Sequence, residues 1–405
     1  MIVAGQGVMH KIRFLRSVSI PDGLKLARYL KAPELGPKVL FFSGGTALNS
    51  LSRELVRYTH NSIHLVTPFD SGGSSAKLRD AFKMPAVGDM RSRLMALADQ
   101  TVKGNPEIYR LFTYRLAHHD ENGRLRAELE SMSRGRHPLM HDISDPMHRI
   151  IRSHLALFIK KMPHDFNLQG ASIGNLILAS GYFANDRHID PVIFIFSRLA
   201  EVRGVVRPVM NSFLHLIARL ADNRLVKGQH MLTGKETIPV SEKVTDIFLS
   251  RDLDNPVPYY PKVKEKITRI ISDAELICYP MGSFYSSIIV NLLPRGVGGA
   301  IADNLCPKVY IPNTGHDPEQ VGTSLAQRVE TLIRYLGESC GEQRPVNSFL
   351  DLVIIDEDHS LYEGGVDIRR IKALGVEVLE TSLTSKNSRP MLEERPLVET
   401  ILSMV

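Results

Sequence analysis

The sequence predicts an α/β fold, a Rossmann-like parallel sheet flanked by helices, with a mainly helical insertion. Three observations lead there. The apolar run Val39-Leu40-Phe41-Phe42, a glycine turn, leucines at helical spacing (Leu48, Leu51, Leu55) and a second run, Ile63-His64-Leu65-Val66, read as strand, turn, helix, strand. Short strand-like runs then alternate with helix-like segments toward the C-terminus, the pattern of a parallel sheet. Residues from about 118 to 165 lose such runs and gain His118, His119, His137, His141, His148, His154 and His164, which reads as a helical insertion or lid.

Taken in order, residues 1–37 form an arm that ends in the turn-like Pro33-Glu34-Leu35-Gly36-Pro37. Its first residues, Met1-Ile2-Val3-Ala4, put no basic stretch ahead of a long apolar one, so they do not read as a secretory signal. Residues 38–405 are expected to form a single body. After the insertion, Asn175-Leu176-Ile177-Leu178-Ala179 reads as helix. Pro191-Val192-Ile193-Phe194-Ile195-Phe196 has strand-like β-branching, but Val192, Ile195, Phe196 and Leu199 make a helical stripe, and helix is the expectation. The runs beginning at Gly204, Leu276, Lys308 and Leu352 continue the sheet.

Composition narrows the function classes. Of 405 residues, 43% are hydrophobic and 23% charged, ordinary for a folded soluble chain. No stretch reaches the ~18 apolar residues that a spanning helix needs, so no membrane role is expected. Lys and Arg exceed Asp and Glu by 50 to 44, a net charge of +6, which permits anionic ligands without demanding a nucleic-acid groove, and none is expected. Cys278, Cys306 and Cys340 are an odd, widely spaced set without C-x-x-C, so a disulfide framework is not expected and a cytoplasmic setting is.

Several loops carry chemistry. Gly44-Gly45-Thr46, between a strand and a helix, allows a phosphate to meet backbone N–H groups and the positive end of the helix dipole; a tight structural turn uses the same letters. Asp70-Ser71-Gly72-Gly73-Ser74-Ser75 offers amides and hydroxyls for a diphosphate and, in Asp70, a carboxylate for Mg²⁺, although Ser74 or Ser75 as a helix N-cap is the plainer alternative. Both loops fall at the carboxyl ends of neighbouring strands, where ligands of open α/β sheets bind. Asp89 opens another helix, as N-cap or as functional carboxylate. Arg91 and Arg93 in the first turn of that helix oppose its dipole, so a bound anion explains them better than helix stability does. Met281-Gly282-Ser283 repeats the pattern after a later strand, with a helix cap again the alternative.

Two further patterns are set aside. Gly170-Ala171-Ser172-Ile173-Gly174 matches the letters of a hydrolase nucleophile elbow, but residues 162–169 supply no buried strand before the serine. His137-Pro138-Leu139-Met140-His141 lacks the glutamate of a zinc helix and carries a proline.

Read together and in order, these segments resemble the 2-phospho-L-lactate transferase (CofD) superfamily, especially its YvcK-like branch of gluconeogenesis or morphogenesis factors. The family's GGTG appears as Gly44-Gly45-Thr46-Ala47, its DDGGSSG as Asp70-Ser71-Gly72-Gly73-Ser74-Ser75-Ala76, and its PPGDIRNCL as the segment from Pro85 to Leu94. SLGNLLLA is matched from Ser172 to Ala179, GPGSLYTSI-PNLL from Tyr279 to Leu293, and the VYVCN strand from Val309 to Asn313. The likeness runs from about residue 38 to 340.

The resemblance implies a nucleoside-diphosphate ligand, GDP-linked or a UDP-sugar, and a homodimer. Transferases of the family move a phospholactyl or phosphoenolpyruvyl-type group from a guanosine diphosphate donor to an acceptor hydroxyl with Mg²⁺. The YvcK-like branch is associated with nucleotide-sugar binding and regulation through a protein partner. By motif, Gly44, Gly45 and Thr46 would cradle phosphate, Asp70 would bind Mg²⁺ or position the acceptor, Asp70 or Asp89 would orient its hydroxyl, and Asn175, Ser283 and Asn313 would hold the ligand. Ser71 stands where the family carries a second acid, and Ala47 replaces the last glycine of the turn. A dinucleotide oxidoreductase would need a G-x-G-x-x-G turn, which is absent.

Overall fold

In the computed structural model, residues 17–100, 104–234 and 240–405 are described; the opening residues read above as no signal lie outside them. The strands are β1 (Val39–Ser43), β2 (Ile63–Val66), β3 (Val205–Pro208), β4 (His215–Leu220), β5 (Leu225–Lys227), β6 (Val244–Ser250), β7 (Leu276–Tyr279), β8 (Lys308–Tyr310), β9 (Leu352–Asp356) and β10 (Glu377–Thr381). Seven of them form one sheet in the lateral order β10-β9-β8-β7-β1-β2-β3, and every pairing in it is parallel. The chain therefore starts at the middle of the sheet, winds outward to β3, crosses back to β7 and winds outward the other way. The reversal falls between β1 and β7, the switch point at which such sheets open a crevice.

β1, β2 and β7 are buried at every position, as strands covered on both faces must be. Val39 and Phe41 face one way, toward Leu51 and Leu55 of the Asn49–Leu55 helix and Leu397 and Ile401 of the Glu394–Ser403 helix. Leu40 and Phe42 face the other way, into a second core with Tyr279 and Ile288. The ambiguous run near 191 is the Asp190–Leu199 helix, whose stripe Val192, Phe196 and Leu199 is buried while Phe194 faces out.

The 118–165 segment is helical and packs as core, not as a detached lid. Leu125, Leu129 and Met132 of the Asn122–Ser133 helix and Ile151, Leu155 and Phe158 of the Met147–Lys161 helix join Ile173, Leu176 and Ile177 of the Ile173–Ala184 helix in one cluster. Its histidines are exposed or half-buried, and among the described residues no group of three or more His, Cys, Asp or Glu is placed to hold a metal. No described helix is long and apolar enough to cross a membrane.

One element was not expected, a three-stranded antiparallel sheet of order β5-β4-β6 inserted between β3 and β7. The β4–β5 hairpin turns at Asp222-Asn223, with Asn223 in the left-handed region at φ 67°, a conformation that asparagine tolerates. Arg79 ties this sheet to the large one. From the Gly73–Phe82 helix its guanidinium donates to Pro68 O at 3.0 Å and to Leu214 O at 2.6 Å, and burial lowers its pKa to about 10. Arg79→Met leaves both carbonyls without this donor and is expected to cost about 3 kcal/mol in urea denaturation; a loss below about 1 kcal/mol would show that the two sheets are held by apolar packing instead.

Candidate functional site

A cleft of about 440 Å³ opens at the carboxyl ends of β1, β2 and β7. The loops that meet there interpenetrate, and glycine makes this possible. A Cβ on Gly45 would overlap the Asp89 carboxylate, one on Gly44 would come within 2.5 Å of Ser287 Oγ, and one on Gly88 would overlap Ser75 Oγ and reach Asp70 Oδ2 at 3.0 Å. Gly44 and Gly45 thus leave room for the protein's own side chains, a different reason from the open phosphate approach expected of them. The amides of Gly45, Thr46 and Ala47 donate to no acceptor among the described residues and line the cleft.

The second loop starts the Gly73–Phe82 helix at Gly73, φ 48°, with Gly72 as a cap that has no side chain to bond with. Neither Ser74 nor Ser75 is therefore the N-cap. Ser74 Oγ instead accepts from Ser172 N at 3.2 Å and from Asn175 Nδ2 at 3.4 Å, and Asp70 Oδ1 accepts from Gly72 N at 3.0 Å. Gly72, Gly73, Ser74, Ser75 and Asp70 all line the cleft.

Asp89 occupies the first turn of the Gly88–Ala96 helix, one residue inside its start, so it is not the N-cap either; Val87 is, with no side-chain bond. Arg91 and Arg93 part company. Arg91 lines the cleft and its Nε donates to Asn175 Oδ1 at 3.0 Å; burial first, then the neighbouring Arg115, lowers its pKa to about 10. Arg93 is fully buried and donates to Ser52 Oγ (2.6 Å), Gly44 O (3.0 Å) and Gly45 O (3.3 Å), so it is a strut under the glycine turn and not the anion ligand expected. Asn175 sits in the first turn of the Ile173–Ala184 helix, whose cap Ser172 also makes no side-chain bond. Three helix starts without side-chain caps, at Gly73, Gly88 and Ile173, converge on one cleft beside Arg91 and Arg115. Each brings the positive end of its dipole to the cleft beside the two arginines, an arrangement that suits an anion.

The turn after β7 differs from expectation. Gly282 and Ser283 line the cleft, but the π-helical segment Phe284–Ile289 behind them has no free N-terminus. Phe284 N donates to Asp317 Oδ2 at 3.2 Å, and Tyr285 N and Ser286 N donate to Glu319 Oε2 at 2.7 and 2.8 Å. Asn313 lies outside the cleft lining and hydrogen-bonds Asp317, so it supports this carboxylate pair. Burial first, then Asp317, pushes Glu319 up to about 8. Sequence reasoning missed Arg115, Gln229, His230 and Thr233, all of which line the cleft. The Gln229–Thr233 helix arrives from the unexpected small sheet, and nothing local in its sequence marks it as part of the site.

The fold and cleft together define a Rossmann-like protein with a crevice at the switch point of its sheet. Residues 39–384 match the family described as "2-phospho-L-lactate transferase CofD", and the chain belongs to that family. Among curated relatives, the gluconeogenesis factor of Bacillus subtilis is 29% identical over 366 residues, covering 87% of this chain and 92% of that one. A putative gluconeogenesis factor of Thermoanaerobacterium thermosulfurigenes is 28% identical over 389 residues, covering 91% and 97%. A crystal structure of a Bacillus halodurans protein of the UPF0052 family superposes with a TM-score of 0.65 at 23% identity, covering 91% of this chain and 99% of that one, a likeness of fold.

Two outcomes follow from the geometry. Gly45→Ala forces a methyl group into Asp89 and is expected to lower stability by about 1–3 kcal/mol in thermal or urea unfolding; an unchanged midpoint would mean that the Asp89 loop yields freely. Glu319 titrates well above the ordinary glutamate value of 4.5, so folding favours its protonated form. That contribution is complete below the ordinary value and is lost as pH rises through about 8. Glu319→Gln is expected to flatten the decline in urea midpoint between about pH 5 and about pH 9, and parallel profiles for the two proteins would exclude Glu319 as its source.

Proposed function

We propose that the cleft binds a nucleoside-diphosphate-linked ligand and that the protein is a Mg²⁺-dependent transferase, passing a phospholactyl or phosphoenolpyruvyl-type group from a guanosine diphosphate-linked donor to an acceptor hydroxyl. The observation that carries the reading is the convergence of three uncapped helix starts and two arginines on one crevice. Such a site stabilises charge on a departing diphosphate without side-chain chemistry. Asp70 and Asp89 face the same cleft, and a hard cation shared between one or two carboxylates and substrate phosphates fits that donor set. Mg²⁺ held there would neutralise charge on the leaving nucleotide. Asp89, packed against Gly45, would orient the acceptor hydroxyl, while Arg91, steadied by Asn175, and the Ser74 and Ser75 amides would hold the diphosphate.

A second reading, a regulatory nucleotide-sugar-binding protein without turnover, is favoured by one observation. Ser71 carries no carboxylate and its hydroxyl is engaged by His230, which leaves Asp70 as the one acid of that loop. The relatives named as gluconeogenesis factors support the same reading.

The test is thermal unfolding with GDP, UDP, UDP-sugars, NAD and ATP, each with and without Mg²⁺, because a ligand of the native state raises the midpoint with its saturation. A Mg²⁺-dependent shift with GDP is expected, and Asp70→Asn is expected to abolish the Mg²⁺ dependence and any turnover while retaining nucleotide binding. A shift with UDP-sugars that ignores Mg²⁺ would replace the transferase by the regulatory reading, and no shift at all would remove the diphosphate site.

A further inference from the structure

We propose that His230 is a ligand-contacting residue whose Nε2–H donates to a phosphate oxygen of the bound diphosphate, with Ser71 holding the ring in the tautomer that makes this donation possible. The inference rests on the diphosphate reading above. Ser71 Oγ lies 2.8 Å from His230 Nδ1 and accepts from the backbone N–H of His230 at 3.2 Å. A serine hydroxyl has one proton and two lone pairs. With one lone pair taken by the amide, the hydroxyl proton is free to donate to Nδ1, and this is the arrangement proposed. The ring proton then resides on Nε2, since the bond at one imidazole nitrogen decides the state of the other.

The surroundings enclose the Nδ1 edge and leave Nε2 available. A Cβ on Gly228, at φ 94°, would lie 3.2 Å from both Cε1 and Nδ1 of His230 and 3.1 Å from Ser71 Oγ, so Gly228 lets the backbone close over that edge. Among the described residues no hydrogen-bond acceptor meets Nε2, and the side chain lines the cleft whose other walls carry Arg91 and the uncapped helix starts. His230 belongs to the Gln229–Thr233 helix of the small-sheet insert, and Arg79 hangs that insert on the large sheet. The small sheet thus contributes a directional side-chain donor to a cleft that also holds arginines, hydroxyls and backbone N–H groups.

Isothermal titration of the full-length protein with GDP and with UDP, at fixed Mg²⁺, separates the outcomes. His230→Phe keeps a ring but removes the donor and is expected to weaken binding of the nucleotide by about tenfold. His230→Gln, whose amide nitrogen can reach the same region, is expected to stay within about threefold of the parent. Histidine ¹⁵N spectra should report the Nε2–H tautomer in the free protein and a shift of the Nε2 resonance on nucleotide addition, which a purely structural histidine would not show. Parent-like affinity in His230→Phe, or an Nδ1–H tautomer, would overturn the assignment while leaving the diphosphate site intact. A parent protein that binds neither nucleotide would overturn both.

Discussion

Four segments of the chain occupy one another's side-chain space, and the rest of the cleft depends on that packing. Asp89 lies where a side chain on Gly45 would be, Ser287 where one on Gly44 would be, and Ser75 where one on Gly88 would be. Protein interiors fill space to crystal-like density, so a single added methyl group at such a contact must displace a neighbour. Arg93 locks the arrangement from below by bonding the carbonyls of both glycines in the β1 turn. Carbonyls held downward by a buried guanidinium fix the peptide planes of the turn, and the unused amides remain on the cleft's wall.

Charge is sorted by the same architecture. One side of the cleft gathers helix starts, Arg91 and Arg115. The other side could have offered a fourth helix start after β7, yet Asp317 and Glu319 consume its N–H groups from behind. Burial penalises both carboxylates, and their proximity to one another adds to the penalty at Glu319. The wide turn at Phe284–Ile289 thereby receives its hydrogen bonds from within the protein, and Ser283 and Gly282 meet the cleft as neutral groups.

Six of the large sheet's seven strands were legible in the sequence as short apolar runs, from Val39 to Ile355, because its centre is buried on both faces; β10, exposed or half-buried along its length, shows no such run. The motif loops were legible because glycine, serine and aspartate cluster directly after those runs, and most of the residues singled out in them line the cleft, Ser71, Arg93 and Asn313 being exceptions. Their roles were less legible. Arg91 and Arg93 are two positions apart in the same helix, Arg93 beyond the first turn in which both were expected, and only the helix's rotation sends one into the cleft and the other under Gly44. Asn313 follows a strand like the other loops do, but its amide serves Asp317. The small sheet escaped notice since β5 is three half-buried residues and β4 mixes polar and apolar positions. With it went Gln229 and His230, whose membership in the site depends on tertiary placement alone.

The reversal of winding between β1 and β7 has a consequence for how the protein is made. Asn291, just past β7, donates to the carbonyl of Ser43 across 248 positions of sequence. A chain emerging from the N-terminal end must therefore carry one apolar flank of β1 uncovered while β2, the helical insertion, β3 and the small sheet are synthesised. Long-range pairing of this kind is slow to form and leaves an adhesive strand edge exposed in the meantime. Until β7 arrives, half the crevice is missing, so the crevice is a property of the finished sheet alone.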